Sequence, residues 1–169
     1  ELATDTATSI DVIAHAMEWI EGNTDEHYDA VMLLEPSSPL TRSFDYDNAV
    51  KIMVEHDANV VLGMREAAIN SAFVGPMDGS GRITPIIDQI KGLKNSRRQD
   101  MSPEYTMNGG LYLFNWDFFW QHKDIYHDRE KTFGYVMDAH YSIEIDEIID
   151  LEWIEFLVAS GKIDMSHWA

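Results

Sequence analysis

Two carboxylates spaced i, i+2 in the stretch Tyr141-Ser142-Ile143-Glu144-Ile145-Asp146 are the residues of this chain best suited to do chemistry. In an extended segment such a pair shares one face, so Glu144 and Asp146 can present oxygen ligands to one hard cation such as Mg²⁺. Asp146, with Glu147 and Asp150, also suits the positive N-terminus of a helix, and the two roles are compatible. At the other end of the chain, hydroxyls ending in Thr8 and Ser9 stand before a helical pattern. Free backbone N–H groups there can bind polar ligand atoms or take an ordinary N-cap. Five of the 12 basic residues, Arg82, Lys91, Lys94, Arg97 and Arg98, fall in one short stretch, either a solvated loop or a patch that meets phosphate.

Other chemistries are excluded by residue type. The absence of Cys removes disulfides, thiolate zinc sites and a Cys nucleophile, and it fits a cytoplasmic protein. The seven His are scattered, with no His-x-x-x-His pair backed by a helical Glu, and neither a Gly-x-Ser-x-Gly elbow nor a Walker loop occurs. A formal charge of -18 opposes nucleic-acid binding, which needs clustered Lys and Arg. A nucleoside triphosphate would then require a divalent cation or a local basic patch.

The elements that must position these residues follow from apolar spacing. Ile13, Ala16, Met17 and Ile20 mark one buried helical face, and Gly22 supplies a stop. Residues 30–34 form a short apolar run, as expected of a strand buried on both faces of a parallel sheet, and Pro36 and Pro39 end it. Ser43, Asp45 and Asp47 open a second helix that runs to about residue 56, and residues 60–64 form a second strand. Helix, strand, helix, strand is the α/β rhythm. It breaks over 66–107, where Asp78-Gly79-Ser80-Gly81 reads as a hairpin turn between residues 72–74 and 83–86. Residues 110–114 and 135–137 read as strands, 117–122 as a short aromatic helix and 146–160 as the last helix. Trp116, Phe118, Phe119 and Trp120 read as core or subunit contact. At 169 residues and 45% hydrophobic, the chain can bury one core and is one domain, and no run approaches the roughly 18 apolar residues of a membrane span.

Three groups of motifs, in order, resemble the acylneuraminate (sialic acid type) CMP-sugar cytidylyltransferases. Glu1-Leu2-Ala3-Thr4-Asp5-Thr6-Ala7-Thr8-Ser9 resembles the family's E-L-A-x-D-T-A-x-S. Leu33-Leu34-Glu35-Pro36-Ser37-Ser38-Pro39-Leu40 resembles L-L-Q-P-T-S-P-L, at the C-terminal end of a central strand where open sheets bind ligands. Arg98-Gln99, then Asn108-Gly109-Gly110-Leu111-Tyr112, then the Glu144 stretch resemble R-Q, N-G-x-I-Y and S-I-D-I-D.

The resemblance implies a Rossmann-like nucleotidyltransferase (nucleotide-diphospho-sugar transferase) sheet. It also implies an antiparallel dimerisation excursion over 66–107 and a homodimer. The family reaction joins CTP and an acidic sugar into a CMP-sugar and pyrophosphate. By the same resemblance Ser9 and Thr8 meet the nucleotide, and Glu35, Pro36, Ser37, Gln99, Asn108 and Tyr112 meet the sugar. Glu144 and Asp146 hold Mg²⁺, and Asp146 and Arg98 are the catalytic residues. Glu35 departs from the family's Gln, Glu144 from its Asp, and Ser71 from a basic residue of the excursion. The chain reads as a single partial domain, 1–169, without the family's R-x-x-S-K-x-x-x-x-K-N loop that holds the CTP phosphates. A catalytically inactive dimeric remnant, binding a sugar or nucleotide or serving as an interaction module, is the competing expectation. A glycosyltransferase-like domain with an acidic metal pair is a third.

Overall fold

The computed structural model describes residues 7–93, 97 and 100–168. A capping box starts the first helix, α1 (Ser9–Asn23): Asp11 N–H donates to Thr8 Oγ1, and the Asp11 carboxylate accepts from Thr8 N–H. Thr8, rather than Ser9, is the cap. The buried face is Ile13, Ala14 and Met17, while Ala16 is exposed, a one-residue rotation of the expected stripe. The helix runs past Gly22 and ends at Thr24, whose N–H returns to Ile20 O.

Four strands, β1 (Ala30–Leu33), β2 (Val60–Glu66), β3 (Tyr105–Asn115) and β4 (Thr132–Val136), form one open sheet in the order β1-β3-β2-β4. The expectation that residues 30–34 lie in a parallel sheet is corrected here. β3 runs antiparallel to both β1 and β2, and only β2 and β4 are parallel. An apolar run records that both faces of a strand are covered, but it carries no information on the direction of the neighbour. β1 is half-buried throughout because it pairs on one side only in this sheet.

Alternation across the pleat explains the continuous apolar runs. Val31, Leu33, Val60, Leu62 and Phe114 face α1 and the aromatic helix α4 (Trp116–His122), which buries Trp116, Phe118 and Phe119 against them. Ala30, Met32, Val61, Leu111 and Leu113 face the other way, toward Ala49 of α2 (Ser43–His56). A layer of helix on each side of the sheet results, which is the mixed α/β architecture expected. Each fully buried Phe, Leu or Met in these layers contributes about 1.5–3 kcal/mol.

α2 is fixed by its third residue. Asp45, fully buried, accepts from Arg42 N–H at 3.0 Å, from Arg42 Nε at 2.9 Å and Nη2 at 3.2 Å, and from the Tyr135 hydroxyl of β4 at 2.8 Å. The Arg42 guanidinium lies 4.2 Å from the Phe44 ring centre and 4.0 Å from that of Tyr141.

Residues 67–104 leave the sheet between two paired strand ends. Arg65 is opposite Thr106 and Glu66 opposite Tyr105, and Ala67 N–H donates to Glu104 O at 2.8 Å. Within this insertion the expected hairpin is absent. Ser71–Phe73 is a 3-10 turn, and Thr84–Lys91 is a helix, α3, with Pro85 in its first turn. The turn at Asp78 is present, but it closes on itself: Asp78 Oδ1 accepts from Ser80 N–H and Arg82 N–H. The last helix, α5 (Ile148–Ala159), is capped by Glu147 and Asp150 and buries Ile154 and Leu157 against Leu40 and Ile163. Among the described residues no helix is long and apolar enough to cross a membrane.

Candidate functional site

β1 ends in a turn that is stitched to itself: Ser38 N–H donates to Glu35 O at 3.0 Å, and the Thr41 hydroxyl donates to Ser38 O at 3.2 Å. Two prolines, at 36 and 39, prevent this segment from pairing as a strand, so it stands at the edge of the sheet as a rigid loop. β3 approaches it closely at Gly110. A Cβ there would lie 3.0 Å from Thr41 Oγ1 and 3.3 Å from Ser38 Cβ, so a larger residue would push the loop away. Ile145 N–H then donates to Ser37 O at 2.8 Å, docking residues 142–146 on the same loop. Three stretches distant in sequence are thereby brought together around Gly109 and Gly110.

Glu144 lies over Gly109, whose φ of +64° places it in the left-handed region, and a Cβ at that position would fall 1.8 Å from Glu144 Oε1. Burial raises the Glu144 carboxyl above its ordinary range; Asp146 adds to the rise, Arg65 opposes it and Glu35 adds again. Tyr112, half-buried on β3, has its phenol raised first by burial and then by Tyr126, Glu144 and Glu35. Glu35, Glu144, Asp146, Tyr112 and Arg65 therefore share one electrostatic environment. Among the described residues no three His, Asp or Glu side chains stand close enough to share an ion. Glu144 and Asp146 supply two carboxylates, the number that Mg²⁺ ordinarily takes from protein when phosphates and water fill its other positions.

The other expected site residues are placed as follows. Pro36 is exposed and Ser37 half-buried, and both stand on the loop. Asn108 is fully buried: Oδ1 accepts from Gly110 N–H at 3.2 Å and Nδ2 donates to Met137 Sδ at 2.9 Å, so it shapes β3 beneath the site. The Thr8 hydroxyl is engaged with Asp11, and Ser9 is exposed. Arg98 and Gln99 lie outside the described residues. Ser71 donates its N–H and its hydroxyl to Glu104, at 2.6 and 2.9 Å, closing the base of the insertion. A cavity of about 390 Å³ opens between Glu35, Pro36 and Ser38 of the loop, Tyr46 and Trp168. Ser38 Oγ, on its wall, is buried without a hydrogen-bond partner. A larger cavity of about 590 Å³ at the base of the insertion shares no lining residue with the carboxylates. The sequence places Asp45 only in the acidic first turn of the second helix and gives Arg65 no role; the partners of each are set by packing.

A mixed α/β open sheet that holds Glu144 beside the loop after β1 and the middle of β3 is the class that this geometry defines. The chain is a relative of N-acylneuraminate cytidylyltransferases over most of its length. It is 28% identical to the enzyme of that name from Streptococcus agalactiae serotype V over 146 residues, 86% of this chain and 33% of the relative. It is 29% identical to that of Escherichia coli O18:K1:H7 over 154 residues, 90% and 34% of the two chains. A 26% identity over 164 residues, 96% of this chain and 66% of the relative, links it to post-translational flagellin modification protein B of Campylobacter coli. The chain thus spans about a third of the length of the curated cytidylyltransferases it matches. No family model matches it.

Proposed function

We propose that this chain carries the sugar- and metal-binding part of a CMP-sugar-forming cytidylyltransferase. CTP and an acidic sugar of the sialic acid type react by in-line attack of the sugar's anomeric hydroxyl on the α-phosphorus, releasing pyrophosphate. The observation that carries this reading is the docking of Ile145 N–H on Ser37 O. It joins the stretches 33–40, 108–112 and 141–146 around Gly109, as the resemblance to the cytidylyltransferases implies. Catalysis on this reading is positioning and electrostatics, with no covalent intermediate on the protein.

Glu144 and Asp146 are the residues that would hold Mg²⁺, which when bound supplies positive charge to the phosphates. The fit rests on the donor set and on the mutual repulsion of Glu144, Asp146 and Glu35, which a cation relieves. Glu35, Pro36, Ser37 and Tyr112 face the sugar, Asn108 holds β3 in place beneath it, and Thr8 and Ser9 stand at a helix N-terminus suited to nucleotide atoms. Arg98 keeps the catalytic role and Gln99 the sugar-contacting role that the resemblance gives them. A nucleotidyltransferase-type sheet and a homodimer formed through the insertion belong to the same proposal. In support of the dimer, Ile69, Phe73, Val74, Ile83 and Ile87 are all exposed there.

Calorimetric titration of CTP into the chain tests the reading, with Mg²⁺, with EDTA and in the Asp146→Ala variant. The Asp146 side chain is exposed, so its loss leaves the fold intact. Weak, Mg²⁺-dependent binding that vanishes in the variant is expected. Equal binding in EDTA removes the metal assignment, and no binding under any condition favours an inactive interaction module.

A further inference from the structure

Arg65 stands alone in a place where an arginine is costly to leave alone. It is half-buried near the end of β2, directly opposite Thr106 of β3, at the strand ends that lead to Asn108 and Gly109. A guanidinium has five N–H donors in a planar fork, and partial burial removes part of the water that would otherwise satisfy them. Among the described residues the Arg65 side chain makes no hydrogen bond and no ion pair. Three cations elsewhere in the chain are paired: Arg42 is locked to Asp45, Lys123 faces Glu18, and Lys131 is bonded to Asp57.

The surroundings of Arg65 are acidic. Glu144 feels Asp146 and Glu35 as like charges, and among the described residues Arg65 is the cation that opposes them. It does so without closing into a salt bridge, so its donors remain available to a third party. A site with three carboxylates repels the anionic groups of its substrates unless some cation receives them.

We infer that Arg65 is a specificity-determining residue that receives an oxyanion of the substrate, the carboxylate of the acidic sugar or a phosphate of the nucleotide, beside Glu144. This inference rests on the functional reading above and deepens it. The planar fork takes either group by paired N–H···O bonds, which a lysine at the same position cannot reproduce.

The test needs neither turnover nor metal. The side-chain Nε–Hε resonance of Arg65 is assigned by its loss in Arg65→Lys, and it is then followed by NMR in EDTA. The probes are N-acetylneuraminic acid, its methyl ester and inorganic pyrophosphate. A shift with the free acid and none with the ester assigns Arg65 to the sugar carboxylate. A shift with pyrophosphate alone assigns it to phosphate. In either case the Arg65→Gln variant binds the active probe at least tenfold more weakly, and Arg65→Lys falls between. An unmoved resonance with all three probes overturns the inference. Failure of Mg²⁺-dependent CTP binding with a responsive Arg65 would instead sink the nucleotidyltransferase reading and leave an anion site.

Discussion

Replacement of Gly109 by Ala separates the backbone of the site from its chemistry. The φ of +64° at this position costs a non-glycine residue about 1–2 kcal/mol, and that sum should appear in equilibrium denaturation. The new Cβ would sit 1.8 Å from Glu144 Oε1 and 2.7 Å from its Cδ, where ordinary contact begins at 3.4 Å. Because those atoms are the free end of a flexible side chain, Glu144 can swing aside at little cost to stability. The cost falls on geometry instead. Mg²⁺ demands near-ideal octahedral placement of its oxygens, and disturbing the support of a metal ligand typically lowers affinity about 10–100-fold. Gly109→Ala should therefore lose about 1–2 kcal/mol of stability and most of its Mg²⁺-dependent CTP binding, read by denaturant melts and calorimetry. Gly109→Asn distinguishes the two effects, since Asn tolerates the left-handed region but carries the same Cβ. Its stability should largely recover while its metal dependence stays lost. If Gly109→Ala is destabilised and still binds CTP with full Mg²⁺ dependence, Glu144 is not a ligand and the reasoning fails.

Two further outcomes follow from the packing. Asp45→Ala leaves the Arg42 guanidinium without its carboxylate and the Tyr135 hydroxyl without its acceptor, and a loss of about 3–5 kcal/mol is expected in urea melts. A loss below about 1 kcal/mol would mean that solvent replaces the pair, contrary to its burial. Light scattering at micromolar concentration should report a dimer that Ile69→Glu together with Val74→Glu converts to monomer, because a charge on each exposed apolar residue opposes a self-complementary contact. A wild-type monomer would refute the assignment of this face.

The sequence exposes most of the sheet's elements because each has a periodicity of its own, and it conceals their partners because pairing has none. The strand at residues 60–64 and the helix over Ser43–His56 are legible from local pattern alone, and the structure extends the strand only to Glu66. The direction of β3 is not legible. A strand covered on both faces shows the same apolar run whether its neighbours are parallel or antiparallel. At residues 83–87 a better cue was present: Pro85 suits the first turn of a helix, and Ile83, Ile86, Ile87 and Ile90 follow the 3-4 spacing of a helical stripe. The Asp-Gly-Ser-Gly turn outweighed it, although Asp78 satisfies that turn by itself and needs no flanking strands. For the candidate site the motifs name Glu35, Tyr112, Glu144 and Asp146, whose residue types and order can be seen in one dimension. Arg65 could not be found that way. A single arginine after an apolar strand is commonplace, and its meaning arises only when β2 and β3 pair in register and the loop–Ile145 hydrogen bond sets Glu144 over Gly109. The chemistry of this site is thus written in residue types, whereas its charge balance is written in the pairing of strands.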